Sequence, residues 1–270
     1  MIVTALSLAP IFLLICLGYA LRRGGIPSAE FWNLNDRLVF FVLMPALFFV
    51  RVSEADLSDA LLIPFTTALY SGFVAATVAG IIAAVLLKRG APAGTSIIQG
   101  AMRFNTFVAL AVAEALYALP GLQLAVLGAA VLVPLANLVG VLIFALAMPR
   151  KGAGLILGAA RNLITNPLIV AILLAIGVNW AGWAPIPVLT DTLSVLGQAA
   201  LPIMLLSVGA NLQLRGLSAE IAPMAAAAFC KLLVFPLTTM AVAVALDLDP
   251  LAAQVALIYG ALPTGVAAYT

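Results

Sequence analysis

Histidine is absent from the 270 residues of this sequence, and only 8% of the residues are charged. Without histidine the chain lacks the commonest metal ligand and the usual proton carrier near neutral pH. Soluble domains carry about a quarter charged residues, so a surface this poor in charge is expected to face lipid. The basic residues are scattered singly or in pairs, so the net charge of +2 indicates no nucleic-acid-binding surface.

Cysteine is also scarce, and no arrangement typical of catalysis is present. Cys16 and Cys230 each lie in a long apolar run, and we interpret them as small core residues rather than a disulfide. Paired acids beside a pocket and a glycine-rich phosphate loop are both missing. The sequence therefore predicts no enzyme, no cofactor and no metal site. It also argues against an ATP-driven pump built from this chain alone.

Long apolar runs take the place of charge, and 65% of the residues are hydrophobic. Crossing about 30 Å of hydrocarbon takes roughly 20 apolar residues. Nine predicted spans meet this requirement: Ile2–Leu21, Asn33–Val52, Leu61–Leu87, Ile97–Leu119, Leu122–Met148, Leu163–Trp180, Val188–Ala210, Ile221–Leu246 and Leu251–Thr270. We therefore predict an all-α, multi-pass membrane protein.

Charge is segregated between alternate loops. The basic loops contain Arg22, Arg23, Lys88, Arg89, Arg150, Lys151, Arg161 and Arg215, and the opposite loops contain Glu54, Asp56, Asp59, Asp191, Asp247 and Asp249. Arg51 alone departs from this segregation of basic residues. The positive-inside rule then places the basic loops in the cytoplasm, which gives an inner-membrane protein with its N-terminus outside. Trp180 and Trp183 fall at the outer end of span six, where an aromatic belt is expected.

The two halves of the chain carry similar features in the same order. LNDRL (Leu34–Leu38) recurs as LTDTL (Leu189–Leu193), and the matching positions are Pro10 with Pro167, Pro45 with Pro202, Pro64 with Pro223, and Gly100 with Gly260. Because the paired spans have opposite predicted orientations, we expect an inverted repeat of five plus five helices. Span five has no partner before Thr270. We therefore expect a ten-span protein whose helix 10 is absent from this sequence; a natural nine-span protein is the alternative.

Spans four and nine carry the polar and helix-breaking residues at which inverted-repeat transporters place their site. Span four contains Gln99, Arg103, Asn105, Thr106 and Glu114, and span nine contains Pro263, Thr264 and Gly265. Pro263 should break its helix because it lacks a backbone donor and clashes with the preceding turn. If span four also unwinds, Asn105 must supply the hydrogen bonds that a broken turn leaves open. The alternative is two kinked packing helices with interior hydrogen bonds.

Other polar residues in the spans leave more than one role open. Lys231, near the centre of span eight, is a partner of Glu114, a substrate counter-ion or a neutral amine. Arg103 either presents its planar fork to a carboxylate or extends to the cytoplasmic interface. Glu114 is a candidate proton-linked group. Asn137 in span five could line a cavity or cap a helix, whereas Asn166 is more typical of a helix start.

Several segments of the chain are recognisable. They are LGYALRRGGIP (Leu17–Pro27), NDRLVFFVLMPALFF (Asn35–Phe49), MRFNTFVAL (Met102–Leu110), LGQAALPIMLLSVGANL (Leu196–Leu212) and ALPTG (Ala261–Gly265). The sequence resembles, through these segments, bacterial members of the auxin efflux carrier family, relatives of the plant PIN proteins. The resemblance implies a five-plus-five inverted-repeat fold in which helices four and nine cross at broken points. Residues 1–52 and 163–211 would form a scaffold domain that often dimerises, and residues 53–162 and 212–270 a moving transport domain.

The resemblance also implies a function. Known members carry organic anions: auxin in plants, and dicarboxylates such as malate or malonate in bacteria. By position, Asn105, Thr106, Pro263 and Thr264 would flank the substrate. We therefore predict a secondary active efflux carrier of dicarboxylates or auxin-like acids, working by elevator-type alternating access with proton or sodium coupling. Arg103 and Lys231 would offset the substrate's charge.

Two other functions remain open at this stage. The first is a sodium-coupled organic-anion symporter of the bile-acid type, which sodium-dependent binding would favour. The second is a membrane sensor that binds a ligand without moving it, which an exchange assay would separate from a carrier.

Overall fold

The computed structural model describes residues 2–88, 90–147, 165–182, 186–212 and 221–264. Every regular element in these ranges is helical. Some residues used above for orientation or for the break in span nine lie outside the described residues: Arg89, Arg150, Lys151, Arg161, Trp183, Arg215 and Gly265.

The helices overlap the predicted spans over the described residues, although their ends differ by several residues in places. They are α1 (Ile2–Arg23), α2 (Ala29–Leu38), α3 (Met44–Ser53), α4 (Asp59–Leu86), α5 (Ala91–Met102), α6 (Thr106–Ala147), α7 (Pro167–Trp180), α8 (Pro187–Ala210), α9 (Ile221–Phe229), α10 (Phe235–Ala245) and α11 (Pro250–Ala261). Within the described ranges, five helical stretches are long and apolar enough to cross a membrane: Thr4–Arg23, Ala60–Leu86, Ala91–Ala147, Pro187–Ala210 and Ile221–Ala245. The prediction of an all-α chain compatible with a multi-pass membrane protein is confirmed.

Two π-helical turns interrupt spans two and eight. The turn π1 (Val39–Leu43) joins α2 to α3, and π2 (Cys230–Val234) joins α9 to α10. The second residue after each turn is a proline: Pro45 follows π1 and Pro236 follows π2. A proline ring clashes with the carbonyl four residues earlier in an α-helix, and a wider π turn relieves that clash without ending the helix. Both spans therefore stay continuous through their prolines.

Helix α6 contains a sharp kink at Ala118, whose φ of 52° and ψ of −145° are not helical. The residues that follow include Pro120 and Gly121. The helical path is therefore interrupted two residues before Pro120. The kink falls at the predicted boundary between spans four and five.

Contacts between residues divide the chain into two compact units. The first contains Met1–Asp56, Leu110–Leu127 and Thr165–Gln213, and the second contains Leu57–Ala109, Gly128–Ile164 and Leu214–Thr270. All residues of the candidate site described below belong to the second unit, except Glu114, which belongs to the first.

Reciprocal glycines bring α1 and α8 together in the first unit. A Cβ added at Gly18 would overlap the carbonyl oxygen of Leu206, and one added at Gly209 would overlap that of Ile15. Small residues at such a crossing let two helix backbones approach closely, as is common between membrane helices. Next to this contact, the amide nitrogen of Asn35 donates to the Ser207 hydroxyl at 2.7 Å, and both residues are buried.

Helix starts in both units are capped by side chains. Asn166 accepts a hydrogen bond from the Leu168 nitrogen at 2.9 Å at the start of α7, which confirms its predicted role. Asp249 accepts from the nitrogens of Leu251 and Ala252, both at 3.0 Å, at the start of α11. Each cap satisfies backbone donors that have no partner within the first turn of a helix.

Candidate functional site

The helix of span four is broken between α5 and α6. Helix α5 ends at Met102, and Arg103 continues in an extended conformation with φ −76° and ψ 150°. Helix α6 begins again at Thr106. The buried side chain of Asn105 accepts a hydrogen bond from the Val108 nitrogen at 3.1 Å. The expectation that Asn105 serves a broken turn is therefore confirmed, because its oxygen caps the new helix.

Hydrogen-bond donors collect beside this break. The Arg103 Nε donates to Gln99 Oε1 at 2.5 Å, and Gln99 is only 2% exposed. Gly140 on α6 leaves room for both side chains: a Cβ there would lie 3.3 Å from Gln99 Nε2 and 3.5 Å from an Arg103 terminal nitrogen. Within the described part of the chain, Gln99 Nε2 is buried without an acceptor. A buried donor in this state is costly unless a ligand or water supplies the acceptor.

The helix of span nine ends at a second break. Helix α11 stops at Ala261, and Leu262 is extended with φ −86° and ψ 149°, close to the values of Arg103 at the first break. Pro263 and Thr264 follow in non-helical conformation. The Thr264 hydroxyl is buried, and no described residue gives it a hydrogen bond. Helix α11 thus ends two residues before Pro263, as the proline predicts.

Lys231 is buried in the π2 turn with 1% exposure. Its Nζ donates to the carbonyl oxygen of Tyr259 at 2.6 Å and lies 4.0 Å from the centre of the Phe235 ring. An ammonium over an aromatic face gains a cation–π attraction that is larger away from water. The carbonyl that it contacts lies in the last turn of α11, three residues before the extended Leu262.

The two breaks are linked by one aromatic contact. Phe104, in the non-helical segment between α5 and α6, meets the ring of Tyr259 on α11 edge to face, with centroids 5.5 Å apart. Such pairs add about 0.5–1.5 kcal/mol beyond the burial of their area. Tyr259 therefore contacts the first break through its ring and Lys231 through its carbonyl.

A cavity of about 520 Å³ lies beside the second break. Its wall is formed by small and apolar side chains of α5 and α9, together with Lys231, Pro263 and Thr264. Gly100 of α5 faces this cavity, whereas the neighbouring Gln99 packs beside Gly140. The structure thus brings Lys231, Pro263 and Thr264 together on one side of α5 and groups Arg103 with Gln99.

The remaining candidate residues lie apart from the cavity wall. Thr106 is the half-buried first residue of α6, and Asn137 is half-buried on α6 one turn before Gly140. Glu114 lies on an exposed position of α6 and interacts electrostatically with Arg51. An Arg51 terminal nitrogen also lies 3.7 Å from Glu54. Within the first unit, Arg51 thus interacts electrostatically with both acids.

The sequence named Gln99 as a polar residue of span four but left it out of the site. Its signal was an amide four residues before Arg103, one helical turn away. The sequence could not indicate that Lys231 donates to the Tyr259 carbonyl, because every residue has a backbone carbonyl. Among the described residues, no group of three or more Cys, Asp or Glu side chains could hold a metal ion.

The fold and its long apolar helices define a class: an all-helical, multi-pass membrane protein. Residues 155–270 match the family model described as "Membrane transport protein". A protein of Rhizobium meliloti (strain 1021), provisionally named a malonate transporter, is 27% identical over 269 residues, covering 94% of this chain and 81% of its own length. The chain is thus similar to membrane transport proteins, over its C-terminal part to the family model and over most of its length to the named relative.

Proposed function

We propose that this protein is a secondary active transporter that carries small organic anions, dicarboxylates or auxin-like acids, out of the cell. The observation that carries the proposal is the excess of buried hydrogen-bond donors at the first break. Gln99 Nε2 lacks an acceptor among the described residues, and Arg103 uses its Nε on Gln99, which leaves its terminal nitrogens to face a ligand. A carboxylate supplies the acceptors that these donors need.

The start of α6 adds to the attraction for an anion. The first N–H groups of a helix have no partner within it, and the helix dipole makes that end partly positive. Thr106 is the first residue of α6, and Asn105 precedes it with its oxygen committed to the cap. The Asn105 amide nitrogen and the Thr106 hydroxyl would therefore bind the substrate, and Thr264 and Pro263 would close its other side. Asn137 would line the path beside Gly140.

The substrate class agrees with the named relative, whose name refers to malonate. A dicarboxylate presents two charges, which Arg103 and the partly positive start of α6 would offset. Both belong to the second unit, so one compact part of the chain would hold the whole anion. Glu114 would be the proton-linked group, with Arg51 as its neighbour, if protons rather than sodium ions drive transport.

Alternating access would follow an elevator mechanism. Residues 1–52 and 163–211 would form the scaffold, through which two copies pair in the bacterial inner membrane, and residues 53–162 and 212–270 the moving transport domain. The inverted repeat and the crossing of spans four and nine are supported by the matching extended residues at the two helix ends, Arg103 and Leu262. The Phe104–Tyr259 contact supports the crossing in the same way.

Counterflow in proteoliposomes tests the proposal. Vesicles loaded with unlabelled malonate should take up labelled malonate, and Arg103→Gln and Asn105→Ala should each reduce that uptake at least about tenfold. Such a loss corresponds to about 1.4 kcal/mol, less than the usual cost of removing a buried charged hydrogen bond. Arg37→Ala is the matched control, because it removes an exposed arginine of α2 and should leave uptake unchanged.

The outcomes separate the proposal from its alternatives. Uptake unchanged in both variants would contradict the assignment of the site. Uptake that requires sodium on one side would indicate a symporter of the bile-acid type. Malonate that raises the melting temperature of the protein but never enters the vesicles would indicate a sensor.

A further inference from the structure

Lys231 and Pro263 are connected through one carbonyl group. In an α-helix the carbonyl of Tyr259 would accept a hydrogen bond from the backbone nitrogen of residue 263. Residue 263 is a proline and has no N–H to donate. The Nζ of Lys231 donates to this same carbonyl at 2.6 Å. The side chain of one span therefore supplies a hydrogen bond that the proline of another span cannot make.

We infer that Lys231 is a positioning residue that holds the broken end of α11 by replacing the backbone donor missing at Pro263. This role goes beyond the proposed transport function and does not depend on the identity of any substrate. It differs from two roles considered from the sequence, a partner of Glu114 and a substrate counter-ion.

The packing around the break brings the donor and the acceptor together. A Cβ added at Gly260 would lie 2.8 Å from the Pro236 Cα and 2.9 Å from the Phe235 ring, so the end of α11 lies directly against the start of α10. The π2 turn immediately precedes that contact and carries Lys231. Glycine at position 260 is therefore what allows the Tyr259 carbonyl to come within reach of the ammonium.

Both partners benefit from the contact in an apolar setting. A helix C-terminus carries a partial negative charge on its last carbonyl groups, and cations stabilise it. A buried ammonium in turn needs an acceptor, and Lys231 is 1% exposed. Phe235 provides a second, weaker partner at 4.0 Å. The break of span nine is thus stabilised from span eight, close to the Thr264 hydroxyl.

A double-mutant cycle between Lys231 and Pro263 tests the inference without a substrate. Lys231→Met should lower the melting temperature of the purified protein by about 5 °C, because a charged hydrogen bond is lost and a buried carbonyl loses its donor. Pro263→Ala restores a backbone N–H at the position that the Tyr259 carbonyl needs. In the Pro263→Ala background, Lys231→Met should lower the melting temperature by less than half as much as it does in the wild-type protein. Lys231→Arg, which keeps a charged donor, should recover most of the loss in the wild-type background.

Pro202→Ala is the matched control, because it also replaces a proline within a helix by a residue with a backbone N–H. Pro202 lies in α8, which belongs to the first unit, whereas Lys231 belongs to the second. Pro202→Ala should leave the effect of Lys231→Met unchanged. An equal loss from Lys231→Met in the wild-type protein and in the Pro263→Ala variant would overturn the inference, as would a failure of Lys231→Arg to recover any stability. If Lys231→Met alone yields no folded protein, recovery of folded protein in the double variant supports the inference, and no recovery contradicts it.

Malonate counterflow gives a second measurement that general stability would not change. If Lys231 has a positioning role, Lys231→Met should lower the maximal rate of uptake by a larger factor than it raises the malonate concentration at half-maximal uptake. Lys231→Arg should keep most of the wild-type maximal rate. If Lys231→Met instead raises only the malonate concentration at half-maximal uptake, Lys231 contacts the substrate directly, and the positioning role is overturned. Absence of counterflow in the wild-type protein would contradict the proposed function, whereas the stability cycle would still decide the inference.

Discussion

Several polar side chains in this protein serve the ends of helices. Lys231 donates to a carbonyl in the last turn of α11, and Asn105 caps the start of α6. Asn179 donates at 2.9 Å and 3.0 Å to the carbonyls of Ser53 and Ala55, where α3 ends. In hydrocarbon no water can satisfy such backbone groups, so side chains must do so. A polar residue in an apolar span is therefore evidence for a helix end nearby as well as for a ligand.

Substitution of Asn105 should separate these two roles. Asn105→Ala removes the cap of α6 and should lower the free energy of unfolding by about 1 kcal/mol, because the Val108 nitrogen loses its acceptor. Asn105→Ser keeps an oxygen able to cap and should recover most of this stability, as thermal melting of the two purified variants would show. Malonate counterflow should stay low in both, because serine lacks the amide nitrogen. Full counterflow in Asn105→Ser would show that the cap alone is needed.

At the scale of the elements, glycine and proline determine how the spans pack and bend. Pro45 and Pro236 follow π turns that keep spans two and eight continuous. Pro263 instead ends a helix, because the residues after Ala261 leave the helical conformation. The same residue type thus has two outcomes: a π turn precedes Pro45 and Pro236, whereas the helix before Pro263 is α-helical and ends. Glycines at the helix crossings leave no room for a side chain.

The crossing of α1 and α8 gives a prediction for Gly18 and Gly209. Alanine at either position would place a methyl group on a carbonyl oxygen of the facing helix. Overpacking of this kind costs about 1–3 kcal/mol, so each variant should melt roughly 5 °C below the wild-type protein. Gly177→Ala on α7 is the matched control, because nothing lies within 4 Å of its added Cβ. Equal melting temperatures for Gly18→Ala and Gly177→Ala would contradict the close packing.

At the scale of the whole molecule, the loops carry the information on orientation. Acidic residues before α4 and basic residues after it predict that the start of α4 lies outside and its end in the cytoplasm. Arg51, which departs from this pattern, has Glu54 and Glu114 as electrostatic partners within the first unit. Its charge is therefore locally compensated, so it weighs little in the choice of orientation.

Cysteine labelling in intact cells tests that orientation. In a background with Cys16 and Cys230 replaced by alanine, Ser58→Cys should react with a membrane-impermeant maleimide added outside. Gly90→Cys should react only after the cells are permeabilised, and an added Cβ at that exposed position meets nothing within 4 Å. The cysteine-free protein is the control for background labelling. The reverse pattern would place the N-terminus in the cytoplasm and contradict the positive-inside prediction.

The sequence by itself indicated the helical spans, the helix end near Pro263 and the residue that would cap a break in span four, because these features depend on local chemistry. Apolar length sets a span, a proline without its N–H ends or bends a helix, and an asparagine beside a break caps the next turn. Tertiary structure alone decided which groups meet across spans. That Lys231 reaches the Tyr259 carbonyl, that Glu114 interacts with Arg51 and that Gly140 leaves room for Gln99 and Arg103 depends on contacts between residues distant in the chain. Such contacts arise from packing of whole helix faces, and a backbone carbonyl or an empty glycine position has no side chain by which a sequence could reveal its partner.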